Sequence, residues 1–267
     1  MRQLAIVLFI FCQSVVAQEK MTLTLPSQQD GGHKFYHDLL HTALTDAGYN
    51  VTIDTPMEHI PQKRAVKMVE AGQLSLTWLI GTEQRNQKYI PVRVPLTNGM
   101  IGKRILLIPP ELQNKFDMIN NLEDLQQSKM VAGLGMNWYD IDVWKINQLP
   151  VHVEDGEWRT LYSKISSDGE VNYFPRGMTE IVDEAKKNDH LAIEQRLMLV
   201  YDKDFYFYLS ESAAGYQTVI EKALQQAKAS GLMRKLIEKH WQRTYERITP
   251  DQRVIINLSL PKASSHK

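Results

Sequence analysis

The feature that most constrains this chain is an alternation of strand and helix that repeats twice near its start. "MTLTLP" alternates apolar and polar residues and stops at Pro26, and "SQQDGG" then makes a polar turn. A helix follows over residues 35–47, with Tyr36, Leu39, Leu40, Ala43 and Leu44 on one face and Gly48 as its stop. "YNVTID" is the next strand, "QKRAVKMVEAG" a second amphipathic helix ending at Gly72, "LSLTWLI" a third strand and "GTEQRNQKY" a polar connection. Parallel neighbours need a crossover between them, so this order predicts an α/β layer with parallel strands.

Residues 109–199 hold a second unit of the same kind. "GKRILLIPP" leads into it as a strand ended by prolines. "INNLEDLQQ", "KMVAGLG", "WYDIDVWKINQL", "PVHVED", "WRTLYSKISSDG", "VNYF" and "MTEIVDEAKKN" then read as helix, strand, helix, strand, helix, strand and helix. "VNYF" ends on Pro175 and Arg176. "FYFYLSES" returns as an aromatic strand, and a long helical stretch over residues 217–241 breaks near Gly231. A chain of 267 residues with 43% hydrophobic content is large enough for two such lobes. No Gly/Pro/Ser linker separates them, so "RILLIPP" going out and "FYFYLSES" coming back are expected to run side by side as two crossings, a hinge. The division this gives is lobe 1 over 18–108 and 205–260, lobe 2 over 109–204, and a frayed tail at 261–267.

The N-terminus sets the compartment. Arg2 precedes an apolar run from Leu4 to Cys12, and Val15-Val16-Ala17 follows as a small-residue cleavage pattern, so residues 1–17 read as a cleaved secretory signal. The run is much shorter than the roughly 20 residues that span a bilayer. The expectation is a periplasmic protein. Cys12 is the single cysteine, so cleavage leaves a chain with no disulfide, no thiolate metal site and no cysteine nucleophile. Lys plus Arg and Asp plus Glu are 31 each, which excludes a global field for nucleic acid or an anionic membrane.

In order and spacing of elements, the mature chain resembles the extracytoplasmic solute-binding proteins of the amino-acid-binding type, with the periplasmic binding protein type 2 architecture. The likeness rests on "AGQLSLTWLIGTEQRNQKYIPVRVPL", "GKRILLIPPE", "INNLEDLQQSKMVAGLGMNWYD" and "SGLMRKLIEKHW" taken together. "VNYFPRGMTEI" and "VYDKDFYFYLSES" look like a proteobacterial branch whose ligand is unassigned. The resemblance implies a two-lobe α/β clamshell, each lobe a mainly parallel sheet flanked by helices. It also implies a monomer that closes on a small polar solute, without cofactor or metal, and serves an ABC permease. A membrane sensor as partner, or a dehydratase-like enzyme on the same fold, is the alternative.

Carried over residue by residue, Arg104 of "GKRILL" falls where these binders grip an α-carboxylate, a task suited to a guanidinium fork, with Lys103 one residue away as the other choice. A strand-end arginine in solvent, or in a surface ion pair, is the plainer role. Asn137 and Trp138 of "GLGMNW" replace a small hydroxyl pair at a helix start. Where the binders place an aspartate against the ligand's ammonium, this chain has Pro175 and Arg176. That favours either an acidic or anionic solute, or a structural pair between Arg176 and Glu180 at helix spacing. Trp78 and Trp138 could offer ring faces to a ligand or simply pack, and Thr82, Asn98 and Ser27 are polar loop candidates whose other role is turn chemistry.

His33, His37 and His41 share one helical stripe, but no "HExxH" pattern accompanies them, so a helix flank is expected in place of zinc. Glu180, Asp140 and His152 are conceivable acid and base groups that no spacing singles out. No catalytic residue is assigned.

Overall fold

The computed structural model describes residues 20–29 and 31–261. The expected signal at 1–17 and the tail from 262 onward lie outside the described residues. The chain opens with β1 (Lys20–Thr24), α1 (Lys34–Asp46), β2 (Asn50–Asp54), α2 (Gln62–Glu70), β3 (Leu76–Ile80), α3 (Glu83–Lys88) and β4 (Ile90–Val92). There follow β5 (Lys103–Ile108), α4 (Gln113–Phe116), α5 (Leu122–Gln127), β6 (Ala132–Gly135), α6 (Asp140–Ile146), β7 (Val151–Glu154), α7 (Leu161–Lys164), β8 (Phe174–Gly177) and α8 (Ile181–Lys187). It closes with β9 (Ala192–Ile193), β10 (Leu197–Val200), β11 (Phe205–Leu209), α9 (Gln217–Ala229), α10 (Leu232–Ile248) and β12 (Val254–Asn257).

The apolar stripe of α1 is buried as its period requires, with Phe35, Tyr36, Leu39, Leu40, Ala43 and Leu44 facing the core. Gly231, at φ 79°, takes the left-handed turn that separates α9 from α10. The second lobe packs its own core around Leu106, Phe116, Leu134, Trp144 and Tyr173.

The sheets are mixed, which corrects the expectation of mainly parallel ones. β1 pairs with β2 and β6 with β7 in parallel, as crossover helices dictate. β11, however, lies antiparallel between β3 and β4, and β5 is antiparallel to β8, β9 and β10. β10, which carries the chain back, lies beside β5, which carries it out, so these two run in opposite directions.

The return crossing also differs from the expected one. β10 lies beside β5, with Leu199 opposite Arg104, while "FYFYLSES" is already inside the first sheet as β11. The Asp204 carboxylate ties the crossings together, accepting from Thr97 N at 3.0 Å, Thr97 Oγ1 at 2.7 Å and Gly99 N at 2.6 Å. After α10 the chain passes over once more: β12 pairs with β10, and Ser259 exchanges hydrogen bonds with Asn147 at the end of α6.

Three local differences bear on the site. "GTEQRNQKY" is not a plain connection but α3, because the Thr82 hydroxyl accepts from Arg85 N at 3.2 Å and caps it. "WRTLYSKISSDG" is a 3₁₀ turn and the single turn α7, since Ile165 leaves the helix to bridge Val171. β8 does not end at Pro175 and Arg176 but runs through them, with Pro175 opposite Leu106 and Arg176 opposite Ile105. A proline is accommodated there because β8 is the last strand of its sheet, where a missing N–H breaks no ladder.

Candidate functional site

A cavity of about 550 Å³ lies between the lobes. The first lobe contributes His33 and Tyr36 from α1, Trp78 from β3 and Arg85 from α3; the second contributes Trp138, Asp140, Arg176 and Glu180. β3 and β8 reach this cavity with Trp78, Ile80 and Arg176, and Trp138 reaches it from the turn after β6, the usual place for a ligand in an open α/β layer. Contacts join the lobes around it. Arg85 Nη1 donates to Ile80 O at 2.8 Å and Nη2 to Asn137 O of the other lobe at 3.2 Å. Arg159 Nη2 donates to Gln28 Oε1 at 2.7 Å, and Lys63 pairs with Asp155 at 2.7 Å.

Arg104 sits in this wall, but its charge is already met. Its side chain is 4% exposed, as is that of Asp140, whose carboxylate lies 2.9 Å from Arg104 Nε. The Tyr201 hydroxyl accepts from Arg104 Nε at 2.9 Å and donates to Asp140 Oδ1 at 2.8 Å. Burial lowers the Arg104 pKa, yet Asp140, Tyr201 and Glu180 outweigh it and hold it above the ordinary value. This is a closed buried triad.

Arg176 is equally engaged. Its Nε and Nη2 reach both Glu184 oxygens at 2.6 and 2.7 Å, a bidentate fork, and Nη2 lies 3.2 Å from Glu180. The expected i,i+4 pair with Glu180 exists, but the stronger partner is Glu184, beyond helix spacing because Arg176 belongs to β8 and Glu184 to α8. Gly177 leaves room for Glu180: its N–H donates to Glu180 Oε2 at 3.1 Å, and a Cβ there would stand 2.6 Å from Ile101 Cδ1 and 3.1 Å from Glu180 Oε2.

Arg85 is the contrast. It is half-buried, donates only to the two backbone carbonyls, and has no carboxylate partner among the described residues. Burial lowers its pKa, and Tyr208, Tyr89, Asp140 and Asp142 offset this only in part. An unneutralised guanidinium in a cavity wall suits an anionic group of a solute. Sequence spacing does not single out Arg85, because "GTEQRNQKY" reads as a polar connection; the signal that marks it is Thr82 three residues before it, a helix-start residue.

The remaining candidates divide. Trp78 and Trp138 both reach the cavity. Trp78 stacks on Tyr36 at 4.5 Å and meets the edge of His33 at 4.5 Å. Trp138 lies against the Gly135 backbone, where a Cβ would meet its ring at 2.7 Å. Thr82, Asn98, Asn137 and Ser27 do not line it. Thr82 caps α3, Asn98 and Asn137 hold left-handed turns at φ 50° and 68°, and Ser27 O accepts from Ile60 N at 2.9 Å. His33 Nδ1 and His37 Nε2 both approach Pro26 O, and among the described residues no His/Cys/Asp/Glu group could hold a metal ion. His152 stands off the cavity beside Glu154.

Glu180 keeps about a third of its side chain, 32%, exposed and is the carboxylate most open to a solute in this cluster. Burial raises its pKa, Arg176 pulls it down, Glu184 pushes it up, and the balance stays above the ordinary value. The folded state therefore holds this proton more tightly than the unfolded chain does. That contribution is present below the ordinary 4.5 and is lost as pH rises through the folded value. Glu180→Gln cannot ionise, so its melting temperature relative to the parent should climb as pH goes from acid toward neutral. A difference that stays constant over this range would contradict the assignment.

No family model matches the sequence, and no curated protein matches it. Solved structures do. An ancestral arginine-binding protein bound to arginine superposes with a TM-score of 0.58 at 15% identity, covering 82% of this chain and 98% of that one. The fold is that of amino-acid-binding proteins of ABC transporters. An amino acid ABC transporter substrate-binding protein from Streptococcus pneumoniae, bound to L-arginine, gives a TM-score of 0.58 at 13% identity over 83% of this chain and 93% of its own. An ancestral amino-acid-binding protein described as a precursor of cyclohexadienyl dehydratase gives 0.58 at 13% identity over 83% and 95%.

Proposed function

We propose that this protein is an extracytoplasmic binding protein that closes its two lobes on an amino-acid-like solute and delivers it to an ABC importer. Arg85 carries the proposal: it is a cleft arginine without a carboxylate partner among the described residues, and it already touches both lobes. A solute carboxylate bound there would be shared by the two lobes and would favour the closed form by its preference for it. Glu180, across the cavity, offers a negative group for an ammonium.

The balance of charges immediately around Arg104 and Arg176 argues against an anion-only solute at Arg176. Arg104 and Arg176 face three carboxylates, Asp140, Glu180 and Glu184, so the cluster is net negative by one. Binding is favoured over catalysis because two of those carboxylates are locked in arginine pairs and are poor proton carriers. The secretory leader, the periplasmic location, a monomeric state and the permease partner belong to the same proposal. Among the described residues no helix is long and apolar enough to cross a membrane.

A thermal-shift panel of amino acids, small carboxylates and amines tests it. A solute at a hundred times its Kd stabilises by about 2.7 kcal/mol, a melting rise of about 5 to 10 °C in a protein of this size. Zwitterions are expected to give the shift. A response confined to carboxylates lacking an ammonium, or no response at all, would overturn it.

A further inference from the structure

The surroundings of Arg176 amount to a complete guanidinium site. Its Cζ lies 5.0 Å from the Trp138 ring centroid, 4.5 Å from that of Trp158 and 4.9 Å from that of Phe174. Around the rim, Glu184 takes two N–H groups and Glu180 a third contact. Three aromatic faces and two carboxylates satisfy both aspects of a planar cation, the ring quadrupoles above it and the acceptors at its edge. The side chain is 4% exposed. Trp138, Trp158, Glu180 and Glu184 also line the solute cavity, so the box opens onto the space a ligand would use.

We infer that this box is a cation subsite of the cleft which the chain fills with its own arginine, making Arg176 a specificity-determining residue. With Arg176 in place, Glu184 has no free oxygen for a solute cation and the ring faces are covered. A guanidinium or ammonium at the end of a solute side chain then finds neither a partner nor room, and meets the like charge of Arg176. The solute class this admits at that end is a neutral one, with the open carboxylate of Glu180 left for the backbone-type ammonium.

A plain structural ion pair accounts for less of the geometry. Burying an ion pair gains little over apolar packing of equal volume, and a pair alone needs no aromatic enclosure. The choice of arginine follows from the same shape. A lysine ammonium would neither span both oxygens of Glu184 nor lie flat between the rings.

The inference rests on the solute-binding reading for its biological meaning, but its test uses no solute. The full chain carrying Arg176→Ala is melted with methylguanidinium chloride at rising millimolar concentration, against sodium chloride at equal ionic strength. The expected result is a saturable rise in melting temperature and a change in tryptophan fluorescence in the variant, with neither in the parent. Methylammonium should act more weakly, and Arg176→Ala/Glu184→Gln should bind methylguanidinium about tenfold less tightly or worse. If Arg176→Ala is unfolded in sodium chloride, recovery of its circular dichroism spectrum with methylguanidinium gives the same support. A variant that methylguanidinium neither stabilises nor refolds, or a parent that responds as strongly as the variant, overturns the inference. Either outcome leaves the amino-acid panel to be judged by itself.

Discussion

Arg85→Ala is expected to weaken solute binding by about a hundredfold, close to 3 kcal/mol, the loss that follows removal of a charge-assisted fork. The unliganded fold should barely notice. Arg85 is half-buried and has no carboxylate partner among the described residues, so its removal strands no buried charge, and the Thr82 cap of α3 uses the backbone N–H that alanine keeps. Calorimetric titration gives the affinity and a melting curve the stability. Arg85→Lys should recover only part of the loss, because a single ammonium cannot hold Ile80 O, Asn137 O and a solute carboxylate in one plane. Unchanged affinity in Arg85→Ala would remove Arg85 from the site.

Arg104→Met is expected to do the reverse. It leaves the Asp140 carboxylate, 4% exposed, without its cation, and breaking such a pair costs about 3 to 5 kcal/mol. For a chain of this size that lowers the melting temperature by about 10 °C. Adding Asp140→Leu should restore most of it, since an apolar pair of similar volume replaces the buried ions at little cost. Circular dichroism melts of the single and double variants decide this. If Arg104→Met melts like the parent but no longer binds solute, the anchor role first suggested for Arg104 is correct and the triad described here is not structural.

The contrast between these two arginines shows how far the sequence could be read. Elements with a local signature were legible: the stripe on α1, the turn at Gly231 and the crossover order of β1, β2, β6 and β7 follow from periods and glycine stops. The antiparallel sheet partners were not, because β8 is fixed by β5, far away in the chain, and only that pairing draws Pro175 and Arg176 into a strand. Which arginine has no carboxylate partner among the described residues was hidden for the same reason. The partners of Arg104 lie 36 and 97 residues away, and local spacing carries no trace of them. For Arg176 the i+4 glutamate was visible and the i+8 glutamate was not, since strand and helix meet there at an angle no single period describes. Arg85 stood in plain view with a helix cap before it, but its importance depends on what it lacks among the described residues, a carboxylate partner, and a sequence cannot display that.

The most direct test of the account is calorimetric titration of the protein with the best-binding amino acid from the thermal panel and then with that amino acid's C-terminal amide. The account predicts one solute per chain and a loss of affinity of about a hundredfold for the amide, which keeps the ammonium but has no charge for Arg85 to hold. An amide that binds as tightly as the free amino acid would contradict it.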